Sequence, residues 1–279
     1  MTDSDAPPLA FFENDGSQYR PLPYARSPWS TTMINGPAVC GLAAHEIEAR
    51  HAEESFVPAR LTVDLFRQAR FEPTTVTTTV VRDGRRIRIV DASVEQDGQP
   101  VARATVVFLR RTTEPAGHTW RPERVPTPPM PVLTATKPFE HYPLYGSDDH
   151  VTEDNPGGWS LSMEDHTNRS RKRVWHRQLD VLNGHPNSPF VRAAMVGENT
   201  SMVTHWGSEG VGFINADLTM TLSRLPVGSD VGLEADNQSS TDGVSVGAAT
   251  LFDTDGVFGT CLVTAVANPN LAMDFTRGR

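Results

Sequence analysis

Glu198 stands in the run Met195-Val196-Gly197-Glu198-Asn199, an acid set into an otherwise apolar helical stretch. A carboxylate held partly out of water keeps its proton to higher pH, which suits it to act as a base near neutrality. On an open helix face the same residue would be an ordinary solvated acid. A second feature is Asn35-Gly36-Pro37. Proline fits the first turn of a helix because the N–H it lacks would be unpaired there. The other free N–H groups of that turn are donors for a developing negative charge. Glycine lets a ligand approach them closely. Asn35 and Gly36 are therefore expected to face a ligand, although a plain helix-start turn would use the same residues.

Other chemistries lack their residues. Cys40 and Cys261 lie in apolar, small-residue surroundings and read as buried free thiols. The nine histidines show no metal-ligand spacing, so no metal and no cofactor is expected. Ser160, Ser162, Ser188 and Ser201 lack the glycine-flanked elbow of a serine hydrolase. His45 and Glu46 are neighbours in sequence, do not share a helix face, and read as surface residues. The run Arg169-Ser170-Arg171-Lys172-Arg173 is the basic cluster of the chain and reads as a solvated strand end, with contacts to the phosphates of a ligand as the alternative.

The net charge of −9 speaks against a protein that neutralises nucleic-acid phosphates. No stretch approaches the length of a membrane-spanning helix. The acidic N-terminus shows no targeting segment, and a cytoplasmic location is the default expectation.

Helical spacing runs from Pro37 to about His51, with small residues such as Ala38 and Gly41 along it, so another element should pack closely there. Strand patterns follow over 60–67, 76–82, 85–95 and 101–109, with hairpin signals at Asp83-Gly84 and Asp97-Gly98. Residues 1–20 read as a loosely docked leader. Residues 112–158 carry nine prolines and read as an extended linker.

The second half repeats the first. Leu61-Thr62-Val63 recurs as Leu218-Thr219-Met220, Arg67 as Arg224, and the two Asp-Gly pairs as Asp242-Gly243 and Asp255-Gly256, all displaced by 157 to 159 residues. A strand over 174–179 and a second helix, from Ser188-Pro189 to about 203, precede this copy. An α+β fold follows. Each copy has one long helix wrapped by an antiparallel sheet, which is a hotdog module, and the two sheets pair edge to edge so that exposed edges are covered. The expected units are 1–111, the linker 112–158, and 159–279.

The ordered set of motifs resembles the acyl-CoA thioesterase II family of double-hotdog enzymes. It comprises Ile34-Asn35-Gly36-Pro37, the stretch from Pro58 to Arg67, 81–85, Asp97 to Val101, Ser188-Pro189-Phe190 through Arg224, and Asp253 to the last strand. The resemblance implies a catalytic set of a helix acid at Glu198, where the family usually has aspartate. Asn215 stands where threonine is common, and Thr264 where glutamine is common. Together they would hold a water for attack on the thioester. Asp217 is a further candidate at the ligand, or a strand-edge carboxylate paired with Arg224. The implied partner is acyl-CoA or another acyl thioester, and a homo-oligomer is expected. A non-catalytic acyl-CoA or lipid-binding protein is the alternative on this scaffold. A hydratase would need an Asp and His pair near a helix start, which the second half lacks.

Overall fold

The computed structural model describes residues 7–123 and 125–268. The chain start at 1–6 and the end of the second expected unit, 269–279, lie outside the described residues.

The chain opens with β1 (Ala10–Asn14) and β2 (Tyr19–Pro21), an antiparallel pair. Helix α1 (Gly36–His51) starts where Asn35 accepts the Ala38 N–H at 2.8 Å, with Pro37 in the first turn. Then come β3 (Phe56–Leu65), β4 (Thr75–Asp83), β5 (Ile87–Gln96) and β6 (Gln99–Arg110). A short helix α2 (Pro131–Ala135) and the strands β7 (Leu144–Ser147) and β8 (Trp159–Ser160) follow. Next are β9 (Lys172–His176), β10 (Asp180–Leu182), α3 (Pro189–Glu198) and α4 (Thr200–His205). The chain ends with β11 (Trp206–Gly207), β12 (Gly210–Val211), β13 (Phe213–Asn215), β14 (Asp217–Leu222), β15 (Val231–Thr241), β16 (Val244–Asp253) and β17 (Gly256–Ala267).

One large sheet runs in the order β4-β5-β6-β3-β14-β17-β16-β15-β9-β7-β8, with β13 also on β17. Its ladders are antiparallel. The junction of the two halves is β3 against β14, where Thr62 faces Thr219, Val63 faces Leu218 and Leu61 faces Met220. The repeated triplet thus pairs with its own copy, and a local twofold passes through the two threonines. Helix α1 lies on β4, β5 and β6; α3 and α4 lie on β14 to β17.

The two helices also pack on each other. The small-residue face of α1 makes this possible: a Cβ on Gly41 would sit 2.6 Å from Met195 Cγ and 2.7 Å from Val181 Cγ2. One continuous core results, in which Leu42, Ile47, Leu61, Phe108, Phe190, Met195 and Leu218 are buried. Among the described residues no helix is long and apolar enough to cross a membrane.

Several expectations change. The leader is not loosely docked: Phe11 and Phe12 are buried, and β1 pairs in parallel with β10 of the second half. The proline-rich stretch does not stay irregular, because β7 adds to the large sheet beside β9. Glu46 is buried rather than on the surface, and both Tyr19 and Arg50 donate to its carboxylate. Arg224 pairs with Asp253, not with Asp217.

The Asp253 carboxylate accepts from Arg224 at 2.6 and 2.8 Å and from the Val227 and Asp255 N–H groups at 2.8 Å each. Burial raises its pKa, but these hydrogen bonds together hold it below the usual carboxylate range. Asp253→Ala leaves a half-buried guanidinium without its counter-charge, held only by the Leu225 and Gly256 carbonyls, and two backbone N–H groups without acceptors. The expected cost is about 3 kcal/mol, read as a lower urea midpoint with an unchanged denaturant slope.

Candidate active site

Three chain segments bring the candidate residues together. Ser188 caps α3 by accepting the Val191 N–H at 3.1 Å, and α3 runs to Glu198. There the helix breaks. The Asn199 N–H turns back to Val196 and Gly197, and a separate helix α4 begins at Thr200. Glu198 is therefore the last residue of α3, with its side chain at the break rather than along a continuous helix. Opposite it is the N-terminus of α1.

The approach is close: a Cβ built on Gly36 would lie 2.0 Å from Glu198 Oε1 and 2.4 Å from its Cδ. Gly36 does permit a close approach, but the group that comes close is the protein's own carboxylate. Asn35 uses its side chain for the fold. It accepts from Ala38 and donates to the Tyr24 carbonyl at 3.1 Å. The Val39 N–H goes to the Asn35 carbonyl, and Pro37 has none. Among the described residues the Gly36 N–H has no acceptor, so it is the donor of that turn left for a ligand.

Asn215, at the end of β13, donates to Glu198 Oε1 at 3.2 Å. Burial pushes the Glu198 carboxyl up to about 7, against the lowering effect of this hydrogen bond. Near neutral pH Glu198 is thus close to half-charged and can take a proton and give it back.

Thr264 is not brought to this group. On β17, Cys261, Val263 and Ala265 are buried while Leu262, Thr264 and Val266 face out. The Thr264 hydroxyl and N–H both go to Asp217, at 2.9 and 2.7 Å. Neither Asp217 nor Thr264 lines the space around Glu198.

That space consists of two cavities that meet at Ser27, Trp29, Gly36, Glu198, Ile214 and Asn215. One has a volume of about 270 Å³ and lies toward α4 and β13. The other, about 580 Å³, lies toward the end of β3. Ser27, Trp29 and Ile214 were missed at the level of sequence. The available signal was a tryptophan in a polar stretch seven residues before the α1 start. Cys40 and Cys261 are buried close to this centre, and burial pushes the Cys261 thiol up to about 12. They serve as packing.

Residues 25–109 match the family described as the acyl-CoA thioesterase N-terminal domain, and residues 122–266 match the acyl-CoA thioesterase C-terminal domain. No curated protein matches the chain. Among solved structures it is similar to a tesB protein of Mycobacterium avium subspecies paratuberculosis, with a TM-score of 0.61 at 16% identity, over 92% of this chain and 96% of that one. The acyl-CoA thioesterase II TesB2 of Mycobacterium marinum gives 0.61 at 17%, over 93% and 95%. A conserved protein of unknown function with a hot dog fold, from Alicyclobacillus acidocaldarius, gives 0.63 at 16%, over 96% and 99%. At such identities the likeness is one of fold, a helix-bearing antiparallel sheet of the hotdog kind. The two matched segments take in most of the sequence, and on that ground the chain belongs to the acyl-CoA thioesterase family.

Proposed function

We propose that the chain hydrolyses an acyl-CoA thioester to the free acid and CoA, with Glu198 as general base. One observation carries the reading: a carboxylate whose pKa is raised to about 7 lies against the Gly36 backbone, where two cavities meet. A water held by Glu198 and the Asn215 side-chain oxygen attacks the thioester carbon while its proton passes to Glu198. The Gly36 N–H and the positive end of α1 stabilise the oxyanion. The carbon–sulfur bond then breaks, and the departing thiolate takes the proton from Glu198. Two side chains and one backbone donor suffice for this sequence of steps. Thr264 has its place in holding Asp217, and through it the β13–β14 turn.

The test is a thiol-release assay over acyl-CoA chain lengths with wild type and Glu198→Ala. Unchanged turnover in the variant removes Glu198 from the mechanism. Tight binding without turnover in wild type selects the alternative, a non-catalytic acyl-CoA-binding protein. Asn215→Ala removes the hydrogen bond that favours the charged carboxylate. Its rate at pH 7 is expected to fall about tenfold, and the acid limb of its pH–rate profile moves to higher pH. An unshifted acid limb would show that Asn215 does not touch the base in solution.

We further propose that the two halves are tandem hotdog modules, 1–111 and 159–279, joined through 112–158. The support is the helix-on-sheet packing of each half and the pairing of the repeated triplets. A homo-oligomer through the outer sheet face is part of this reading. Val244, Val246, Leu262 and Val266 are exposed there, with Val244 directly opposite Val266. A monomeric mass by light scattering would contradict it.

A further inference from the structure

The two cavities at Glu198 differ in charge. The walls of the 270 Å³ cavity include Phe11, Trp29, Met202, Val211, Phe213 and Ile214, and no lysine or arginine. Its histidine, His176, is buried in the neutral form, and its Nε2 is engaged by the His141 carbonyl. Its walls on β1, α4 and β13 are anchored in the core. Phe213 also lines a neighbouring cavity of about 420 Å³ with Arg169, Arg171 and Lys172, where Arg171 pairs with Glu234 and Lys172 is buried and donates to the Asn168 and Ser170 carbonyls. The 580 Å³ cavity is also largely apolar near Glu198, with Ile34, Val39 and Leu65, but Arg67 and Gln68 stand at its far side. Arg67 has no ion-pair partner among the described residues. This cavity shares Met33 and Gln68 with a third, of about 460 Å³, where Arg26 lies 3.8 Å over the Phe71 ring and Arg70 is paired with Glu72 and Asp97. Moving away from Glu198 in this direction, the walls pass from apolar to charged and aromatic, and among the described residues Arg67 and Arg26 are the cations there outside ion pairs.

An acyl-CoA has the same asymmetry about its thioester. One arm is hydrocarbon; the other is a pantetheine that ends in a nucleotide bearing several phosphates. Phosphates seek arginine, and a base stacks on an aromatic or guanidinium plane. A cavity with no cation gives phosphates no counter-charge.

We propose that the acyl chain occupies the 270 Å³ cavity and the coenzyme arm runs through the 580 Å³ cavity toward Arg67, Arg26 and Phe71, so that Met202 and Phe213 limit the chain to about eight carbons. At roughly 30 Å³ per water-sized group, the smaller cavity holds about nine such groups, which sets that length. The assignment rests on the thioesterase reading for its ligand class but not on turnover.

The experiment uses non-hydrolysable S-alkyl-CoA thioethers, from butyl to hexadecyl, with affinity measured by calorimetry on the full chain. In wild type, affinity should rise with each carbon to about octyl and then stop rising. Met202→Ala and the milder Phe213→Leu each widen the smaller cavity. In both, the dodecyl-to-octyl affinity ratio should rise at least tenfold. Arg67→Ala should weaken all thioethers and free CoA by one common factor, about tenfold, with less loss at high salt. A break point that stays at the wild-type length in both cavity variants overturns the assignment. So does a break point moved by Leu65→Ala, a wall residue of the larger cavity, and not by Met202→Ala. Thioether binding with the expected profile but no thiol release in wild type sinks the hydrolase reading alone. Absence of binding by every thioether sinks both.

Discussion

Glu198→Gln is expected to lower kcat for acyl-CoA hydrolysis by about 10²- to 10⁴-fold, the range for loss of a general base, with KM changed only a few-fold. Glutamine keeps the shape and the contact with Asn215, so the loss reports on proton transfer. Wild-type kcat should rise with pH through about 7 and level off above it, because the base works in its charged form. The same shift has a consequence for stability, with the opposite sense. In the unfolded chain Glu198 titrates near the ordinary 4.5, whereas in the folded chain it holds its proton to about 7. The folded state therefore binds more protons between those values. The stabilisation from this group is complete below the unfolded pKa and is lost as pH rises through the folded one. At pH 8 wild type buries a charge that glutamine does not have. Glu198→Gln should then be more stable than wild type at pH 8, by about 3 kcal/mol, and about equal near pH 4. Denaturant midpoints at the two pH values measure this. A variant that loses activity and is also less stable at pH 8 would point to a structural role for the carboxylate.

The features that were legible in the sequence are those whose causes are local. Asn35 and Ser188 cap α1 and α3 as their positions before Pro37 and Pro189 imply. Asp97-Gly98 and Asp242-Gly243 have the positive φ angles that tight hairpins require, near 51° and 68° and near 52° and 79°. The repeat pointed to the β3–β14 junction, because two copies of one edge strand are self-complementary. What was not legible depends on distant partners. Nothing near Phe11 and Phe12 announces that β10, far along the chain, will pair with β1 and cover them. Leu144–Ser147 was hidden among prolines, since a four-residue strand needs only a few free N–H groups. Glu46 was misplaced because its cover, Tyr19, comes from the segment read as loose.

The site divides in the same way. An acid in an apolar run marked Glu198. Asn215 and Thr264 rested on resemblance, and only Asn215 meets the acid. Strand parity accounts for the difference: Val263 and Ala265 point into the core, so Thr264 between them points out. That alternation was available in the sequence. The break after Glu198, by contrast, had no breaker residue to signal it, as Asn199 and Thr200 are compatible with a continuing helix.

Gly36→Ala is expected to cost about 10²-fold in kcat/KM with little change in stability. The argument is one of space. Gly36 has an ordinary helical backbone, not a left-handed one, so alanine is acceptable there and is the better helix former. Its methyl group, however, would fall 2.0 Å from Glu198 Oε1 and 2.4 Å from Cδ, well inside contact distance. The backbone of α1 is fixed by its cap and its packing, and the carboxylate is the free end of a flexible side chain, so the carboxylate gives way. A displacement of about 1 Å at a catalytic group is enough for a loss of that size. Pushed out toward the cavities, Glu198 is better hydrated, and its pKa should fall toward the ordinary range. The residual activity of the variant should accordingly show an acid limb at lower pH than wild type. Gly41→Ala, one turn further along, supplies the contrast. There the methyl would meet Met195 and Val181 between two packed helices, and about 1–3 kcal/mol of stability is expected to go while each folded molecule keeps its rate. The opposite pattern, with Gly36→Ala as active as wild type, would mean that the carboxylate and the start of α1 are not in contact in solution, and the proposed base would lose its place.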